Sequence, residues 1–448
     1  MNTLDVAYQP AQQNLRRLNF TKAENRSALP VTLATILLYL LLIPQQFNLT
    51  LAGIYLSPYR IFLLGASLYL MASALRQSVR LVLPDVLVFG AVAWIWLASY
   101  ISSNSVETAI IIGGSHSVDI GLGYFLMRIA IQSPSDLRRF LILIAPGIIL
   151  LGAIIVTESV SRTLILQPLA SSITGMPMPI RYEVRLGLVR APASFPHPIL
   201  AGIFIASFLP IYVLSGIRGW PKILSVVATL GGVFTMSSAA MLGVVVGGAL
   251  TIYDWMSERI TNLSWRIFLL FSAILYGVVE LTTNTGFYGL LIRYASLNTT
   301  SAYNRVLIWQ YGTENIAKYP WFGIGYSDWV RPDWMNSGSF DHFWLIMALR
   351  FGIPETFMLL GATLIAIAMI AMRSRRMPTH DARLLRGVAI SLAVFALGVN
   401  SVSLWMAALT WFFMLLGLTV SLGTIPESSP VPPQTAGMRA PVQDRLPR

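Results

Sequence analysis

Residues 218–266 read RGWPKILSVVATLGGVFTMSSAAMLGVVVGGALTIYDWMSERITNLSWR, an apolar stretch with Arg218 and Lys222 at one end and Arg259 and Arg266 at the other. Only Ser237-Ser238 interrupts it. Basic flanks stay on the cytoplasmic side of a membrane, so flanks of the same sign at both ends require an even number of crossings. The stretch therefore crosses twice, as helices over 223–237 and 239–255, and this fixes the parity of everything around it.

Working outward, apolar runs of about 17–25 residues, long enough for a bilayer core, recur along the chain. They fall at 29–48, 59–75, 82–101, 108–127, 138–156, 197–216, 266–283, 342–372, 386–402 and 404–422, which makes about twelve helices in all. The run 342–372 is too long for one crossing, so its first turns are expected to stand in the interface. The composition agrees: 55% hydrophobic and 11% charged, against about 25% charged in soluble domains. The fold class is an all-α polytopic membrane protein. Residues 1–28 read as a disordered cytoplasmic arm and 423–448 as a proline-rich disordered tail, with the transmembrane domain over 29–422 between them. No cleavable signal peptide is expected, because the first apolar run begins behind that arm.

With the N-terminus inside, 21 of the 31 basic residues fall on the cytoplasmic side, and both termini are cytoplasmic. The net charge of +12 then reflects topology and anionic lipid rather than nucleic acid. The chain has no cysteine and four scattered histidines, which excludes thiol chemistry and argues against a histidine-rich metal site. No P-loop motif and no Asp-x-Asp pair occur, so neither a bound nucleotide nor a metal-held nucleotide sugar is indicated.

Two outer loops of substance remain, at about 157–196 and 284–341. They hold Arg162, Arg181, Arg185, Arg190, Arg293, Arg305, Lys318 and Arg331. Outer loops are ordinarily poor in such residues, so their concentration there points to an anionic ligand at the outer face. The second loop and the helix after it read YNRVLIWQYGTENIAKYPWFGIGYSDWVRPDWMNSGSFDHFWLIMALRFGIP from Tyr303 to Pro354. Tyr303–Lys318 has helical spacing, with Val306, Trp309, Ile316 and Tyr319 available for an apolar stripe. Arg305 and Trp309 share a face. A guanidinium fork suits a phosphate or pyrophosphate, although an interfacial arginine can equally meet a lipid phosphate. Asp341 and His342 open the next helix, where either could act as general base or Asp341 could simply cap it.

In the first loop, Arg190-Ala191-Pro192-Ala193-Ser194-Phe195-Pro196-His197-Pro198 leads straight into a helix. Its prolines fix an extended approach and a helix start, and hold Arg190 and His197 at the outer surface. Arg331 and Trp344 complete the polar and aromatic residues expected near substrate. Within the spans, His116 and Asp119 read as an interhelical hydrogen-bonded pair, with a proton relay as the alternative. Arg60, at an outer helix start, reads as a contact to lipid phosphate.

The order Arg305-x-x-x-Trp309, Tyr319-Pro320-x-x-Gly323-x-Gly325, Asp341-His342-Phe343-Trp344-Leu345 and Gly352-Ile353-Pro354 resembles the C-terminal signature of the O-antigen ligase/polymerase family. Arg190 to Pro198 is similar to that family's entry motif before a middle helix. The resemblance implies a GT-C-type, lipid-sugar-dependent glycosyltransferase of the bacterial inner membrane, acting at the periplasmic face without metal or other cofactor. It further implies an undecaprenyl-pyrophosphate-linked oligosaccharide as donor, with membrane lipid, a flippase and a chain-length regulator as partners. Carried over, Arg190 and Arg305 bind the donor pyrophosphate and Asp341 or His342 is the catalytic base. His197, Trp309, Arg331 and Trp344 are the residues expected to contact substrate.

Two departures from the family pattern stand out. Eleven residues before Gly352, where the family's ligases place histidine, stands Asp341, with His342 at the following asparagine position. The Asp-x-Phe-Trp-Leu form is closer to exopolysaccharide polymerase members. The family's arginine after the middle serine pair is also absent, since Ala239-Ala240 follows Ser237-Ser238. The expectation is a polysaccharide polymerase. The alternatives are a ligase passing glycan to a lipid or protein acceptor, and a transporter of lipid-linked sugars. Transporters bind near the midplane between repeated halves, whereas polarity here gathers at one face and no repeat is visible.

Overall fold

The structure is a computed structural model that describes residues 29–425 except 52, 78, 178–181, 284–285, 287–288, 290–298 and 336–337. The arm expected over 1–28, and the tail expected over 423–448 apart from residues 423–425, lie outside the described residues, as do Arg181 and Arg293.

The first half runs α1 (Leu29–Leu41), a hairpin of β1 (Leu49–Leu51) and β2 (Ile54–Leu56), then α2 (Pro58–Gln77) and α3 (Leu83–Ser103). It continues through α4 (Val106–His116), a π-helical turn over Ser117–Leu122, α5 (Gly123–Ala130), α6 (Pro134–Ser161) and α7 (Leu166–Thr174). A second hairpin follows, β3 (Val184–Arg185) with β4 (Leu188–Val189). The second half holds α8 (Pro198–Ala206), α9 (Phe208–Leu214), α10 (Trp220–Leu230), α11 (Ser238–Ser257), α12 (Trp265–Thr282) and α13 (Thr299–Lys318). The last helices are α14 (Phe343–Phe351), α15 (Ile353–Ser374), α16 (Thr379–Gly398) and α17 (Met406–Gly423).

Nine helices among the described residues are long and apolar enough to cross a membrane, and three further apolar helices, Leu29–Leu41, Pro198–Leu214 and Trp220–Thr235, are shorter. The protein is a polytopic helical membrane protein. The 218–266 stretch forms two helices, as its flanks require, with the break at Met236, whose φ of 47° is left-handed. The run 342–372 differs from the expectation. It is two helices, split at Gly352, and only the second is of spanning length.

Helix α17 forms the centre of the bundle, buried almost throughout. Trp411 stacks on Phe208 with ring centroids 4.5 Å apart, and its Nε1 donates to Ser207 Oγ at 2.9 Å. At the opposite extreme, α12 has no buried residue. Two buried ion pairs lie inside the spans, where a low-dielectric interior makes an unpaired charge costly. Arg128 lies 3.1 Å from Asp85. Arg60 Nε donates to Asp119 Oδ1 at 2.9 Å and its Nη1 to the Tyr55 carbonyl at 2.7 Å. This corrects two expectations. Asp119 is bound by Arg60 rather than by His116, and Arg60 is turned inward, not toward lipid. His116 instead bonds the Ile112 carbonyl of its own helix at 2.9 Å through Nδ1.

Candidate active site

The segment from Arg190 to Pro198 is fixed by two side chains that lie outside it. Glu158, fully buried at the end of α6, accepts from the amides of Ile165 at 2.8 Å and Leu166 at 3.1 Å, and its Oε2 accepts from the Ala193 amide at 3.0 Å. Gln167, on α7, donates from Nε2 to the carbonyls of Ala193 at 2.8 Å and Phe195 at 2.7 Å. These bonds hold Ala193 at φ 47°, a left-handed conformation that L-residues adopt at a cost. His197 ends the segment as N-cap of α8, its Nδ1 accepting from the Ile199 amide at 3.2 Å.

Arg190 is held deep in this frame, 4% exposed. Its amide donates to the Glu183 carbonyl at 3.0 Å, and its Nη1 is ion-paired with the Glu183 carboxylate. Its Nε and Nη2 are buried and make no hydrogen bond among the described residues. Buried guanidinium N–H groups without acceptors are expensive, and a catalytic role, a bound ion or an ordered water accounts for such groups in native proteins.

Arg305 approaches from α13. The buried face of that helix carries Arg305, Leu307, Ile308, Asn315 and Ile316, whereas Val306, Trp309 and Tyr319 are exposed. The apolar stripe thus lies on a different face from the one expected, sharing only Ile316. Asn315 sets the choice: its side chain donates to the Val330 carbonyl at 2.8 Å and accepts from the Val330 amide at 3.0 Å, tying the following loop to the helix. Arg305 Nη2 donates to the Ser401 carbonyl at 3.2 Å, at the junction before α17.

At the head of α14 the N-cap is His342, not Asp341. His342 Nδ1 accepts from the Leu345 amide at 3.2 Å, and burial pushes its pKa down to about 4. The ring is therefore neutral near pH 7. Asp341 is left to face the cations. Burial raises its pKa above the usual carboxylate range, opposed by Arg305 and then Arg190. The two arginines predicted from widely separated loops thus both act on the charge of one acid.

The glycine motifs explain how α14 is aimed. Gly352 has φ 91° and ψ 166°, a region essentially reserved for glycine, and a Cβ there would stand 1.8 Å from the Trp321 carbonyl oxygen. The strand-like bonds Ile324 N to Leu349 O (2.8 Å), Gly325 N to Arg350 O (3.0 Å) and Ile353 N to Pro320 O (2.8 Å) lock the loop into the break.

The remaining predicted residues divide. Trp309 packs over His342 with ring centroids 5.6 Å apart, and His197 lies 6.3 Å from the ring of Trp405. Trp344 is buried in the bundle against Phe343 and Phe412, with Nε1 donating to the Ala396 carbonyl at 3.4 Å. Arg331 is taken up by its own loop, pairing with Asp328 at 2.6 Å and donating to the Met335 carbonyl at 3.3 Å. The structure brings neither Trp344 nor Arg331 to the cation group.

Beside Glu158 and Gln167, it adds Glu183, which the sequence reading did not name, and draws Arg185 out of the outer-loop cations into the site. Arg185 lies in the fields of both Arg190 and Arg305, its pKa lowered first by burial and then by Arg190. Its Nη1 donates to the Met236 carbonyl at 3.3 Å, so an arginine from the first loop reaches the turn at Ser237-Ser238 where the family's own arginine is absent. Glu183 faces Arg190, Arg185 and His197, and despite partial burial their charges hold its carboxyl below the usual range. Their alternation on one short hairpin, acid then base two residues on, was the available signal.

Fold and site together define a multi-pass membrane protein with two acids, Glu183 and Asp341, and three arginines gathered in one site. Residues 223–360 match the family model described as O-antigen ligase, which supports a member of the O-antigen ligase/polymerase family. The match takes in Arg305, Asp341, His342 and the Gly352 break, and leaves Arg190 and the first loop outside it. No curated protein matches the chain.

Proposed function

We propose that the protein is a polysaccharide polymerase of the bacterial inner membrane. It transfers a glycan from an undecaprenyl-pyrophosphate carrier to a hydroxyl of a repeat-unit sugar at the periplasmic face, with both termini in the cytoplasm. The observation that carries this reading is the buried pair of N–H groups on Arg190 without an acceptor among the described residues.

In this reaction Asp341 takes the proton of the acceptor hydroxyl, and the freed oxygen attacks the anomeric carbon of the donor sugar. The bond from that carbon to the pyrophosphate oxygen breaks, and the negative charge moves onto the carrier. Arg190 and Arg305 receive that charge with fixed N–H groups, which need no reorganisation as it develops. A guanidinium matches two phosphate oxygens at once. His342 serves by position: its cap sets the first turn of α14 and so the direction of Asp341. Trp309, over the His342 ring, is placed to pack against a sugar face.

The test is incorporation of the native lipid-pyrophosphate-linked repeat unit into polymer by purified protein with EDTA present. A ladder of products lost in Arg305→Ala and Asp341→Asn supports the polymerase. A single-step product formed only with an added acceptor makes the protein a ligase. No transfer from folded protein would leave transport of the lipid-linked sugar as the reading.

A further inference from the structure

The hairpin that carries Glu183 and Arg185 has two unlike faces. Side chains alternate along a strand, and here Tyr182, Val184 and Leu186 are 56%, 50% and 83% exposed while Glu183 and Arg185 turn toward Arg190. Its tip is Leu186-Gly187, both residues at positive φ. The hairpin is thus a short flap, apolar outside and charged inside.

A carboxylate and a phosphate present the same paired oxygens to a guanidinium. Glu183 holds one edge of Arg190, while Nε and Nη2 of that arginine still have no acceptor among the described residues. The two partners differ in burial: side-chain exposure is 4% for Arg190 and 39% for Glu183. The arginine is the fixed member and the acid the one able to leave. Charge counting gives the same result. Arg185, Arg190 and Arg305 set against Asp341 alone leave a surplus matching a doubly charged anion, and Glu183 in place removes half of it. Exchange of one anion for another also keeps Arg190 paired throughout, avoiding a buried uncompensated charge.

We infer that Glu183 is a built-in stand-in for a phosphate: it occupies Arg190 in the unloaded protein, and the entering pyrophosphate displaces it, with Arg185 becoming a third ligand. This rests on the reading of the Arg190–Arg305 group as a pyrophosphate site. The flap sets how tightly the donor and the departing carrier are held, because every phosphate that binds must compete with the carboxylate.

The experiment is binding of inorganic pyrophosphate to the full-length protein in nanodiscs by calorimetry, for wild type, Glu183→Gln, Glu183→Asp, Arg185→Gln and Arg190→Ala. Glu183→Gln should bind about tenfold more tightly than wild type, equivalent to about 1.4 kcal/mol. Glu183→Asp, which keeps the charge, should return toward wild type, and Arg185→Gln should bind about tenfold more weakly. Thermal melts of each variant identify any that is misfolded, and Glu183→Asp then serves as the second reading of the carboxylate. Unchanged or weaker binding in Glu183→Gln, with binding lost in Arg190→Ala, overturns the stand-in and leaves the pyrophosphate site standing. Binding in Arg190→Ala equal to wild type, or in no variant at all, overturns the site itself.

Discussion

His342 and Leu345 are joined by a side chain-to-backbone bond of 3.2 Å that closes the first turn of α14. The acceptor is Nδ1, so the imidazole works as a cap and not as a free base. Asparagine can fill the same capping role. His342→Asn is therefore expected to keep most of the transfer activity, while Asp341→Asn lowers kcat by at least about a hundredfold, the scale of a lost general base. Initial rates on the native repeat unit check this, and the reverse ordering would assign the base to His342.

The pH profile carries a second expectation. Asp341 must be ionised to accept a proton, so kcat/KM falls as pH drops through its raised pKa. Arg305 favours the ionised form. Its removal in Arg305→Gln should move the acid limb of the residual activity to higher pH. His342, pushed down to about 4, stays neutral across neutral and mildly acidic pH. A limb near the ordinary histidine value that does not move in Arg305→Gln would count against Asp341.

Arg190 is a geometric requirement as well as a charge. Its fork is pinned by Glu183 on one edge and open on another. Arg190→Lys keeps the charge but loses the planar pair of donors. About 2 kcal/mol or more of transition-state stabilisation should disappear, in the range of a lost fixed donor, seen in kcat on saturating donor.

Glu158 makes three bonds to backbone amides of Ile165, Leu166 and Ala193. In Glu158→Gln one carboxylate oxygen becomes an amide NH2, a donor that faces those donors. An unsatisfied buried group costs about 1–3 kcal/mol, so the melting temperature in detergent should drop and activity should fall with the displaced Arg190. A variant as stable and active as wild type would remove Glu158 from the frame.

Gly352→Ala tests the break in the helix. The backbone region alone costs of order 1–3 kcal/mol for a residue with a side chain, before the clash with the Trp321 carbonyl is counted. The variant should fail to accumulate as folded protein, whereas Gly114→Ala, where a Cβ meets nothing within 4 Å, should accumulate normally.

The sequence made the membrane class legible because apolar length and basic flanks are local properties, and the helix pair around Ser237 followed from them. Arg190 and Arg305 were visible because arginine in an outer loop runs against composition. The split at Gly352 was not, although Gly-Ile-Pro stood in plain view, since apolar periodicity does not register a carbonyl contributed by Trp321. Which face of α13 is buried depends on the Asn315–Val330 bonds, and these join parts that no periodicity connects. Asp341 was the residue expected to cap α14, and the cap falls one residue on, at His342, because it is the His342 side chain that reaches the Leu345 amide. Glu158 and Gln167 were missed because their work is done on main-chain groups far along the chain, which leaves no trace in composition.

The bonding of residues 320–325 to the Gly352 break has a bearing on lipid exposure. A helix that stops near a bilayer boundary strands carbonyls that hydrocarbon cannot solvate. At this break the carbonyls of Leu349 and Arg350 are taken by the amides of Ile324 and Gly325. The loop thereby does for the end of α14 what water does for a soluble helix. The chain can turn here with these two carbonyls satisfied by protein rather than by solvent.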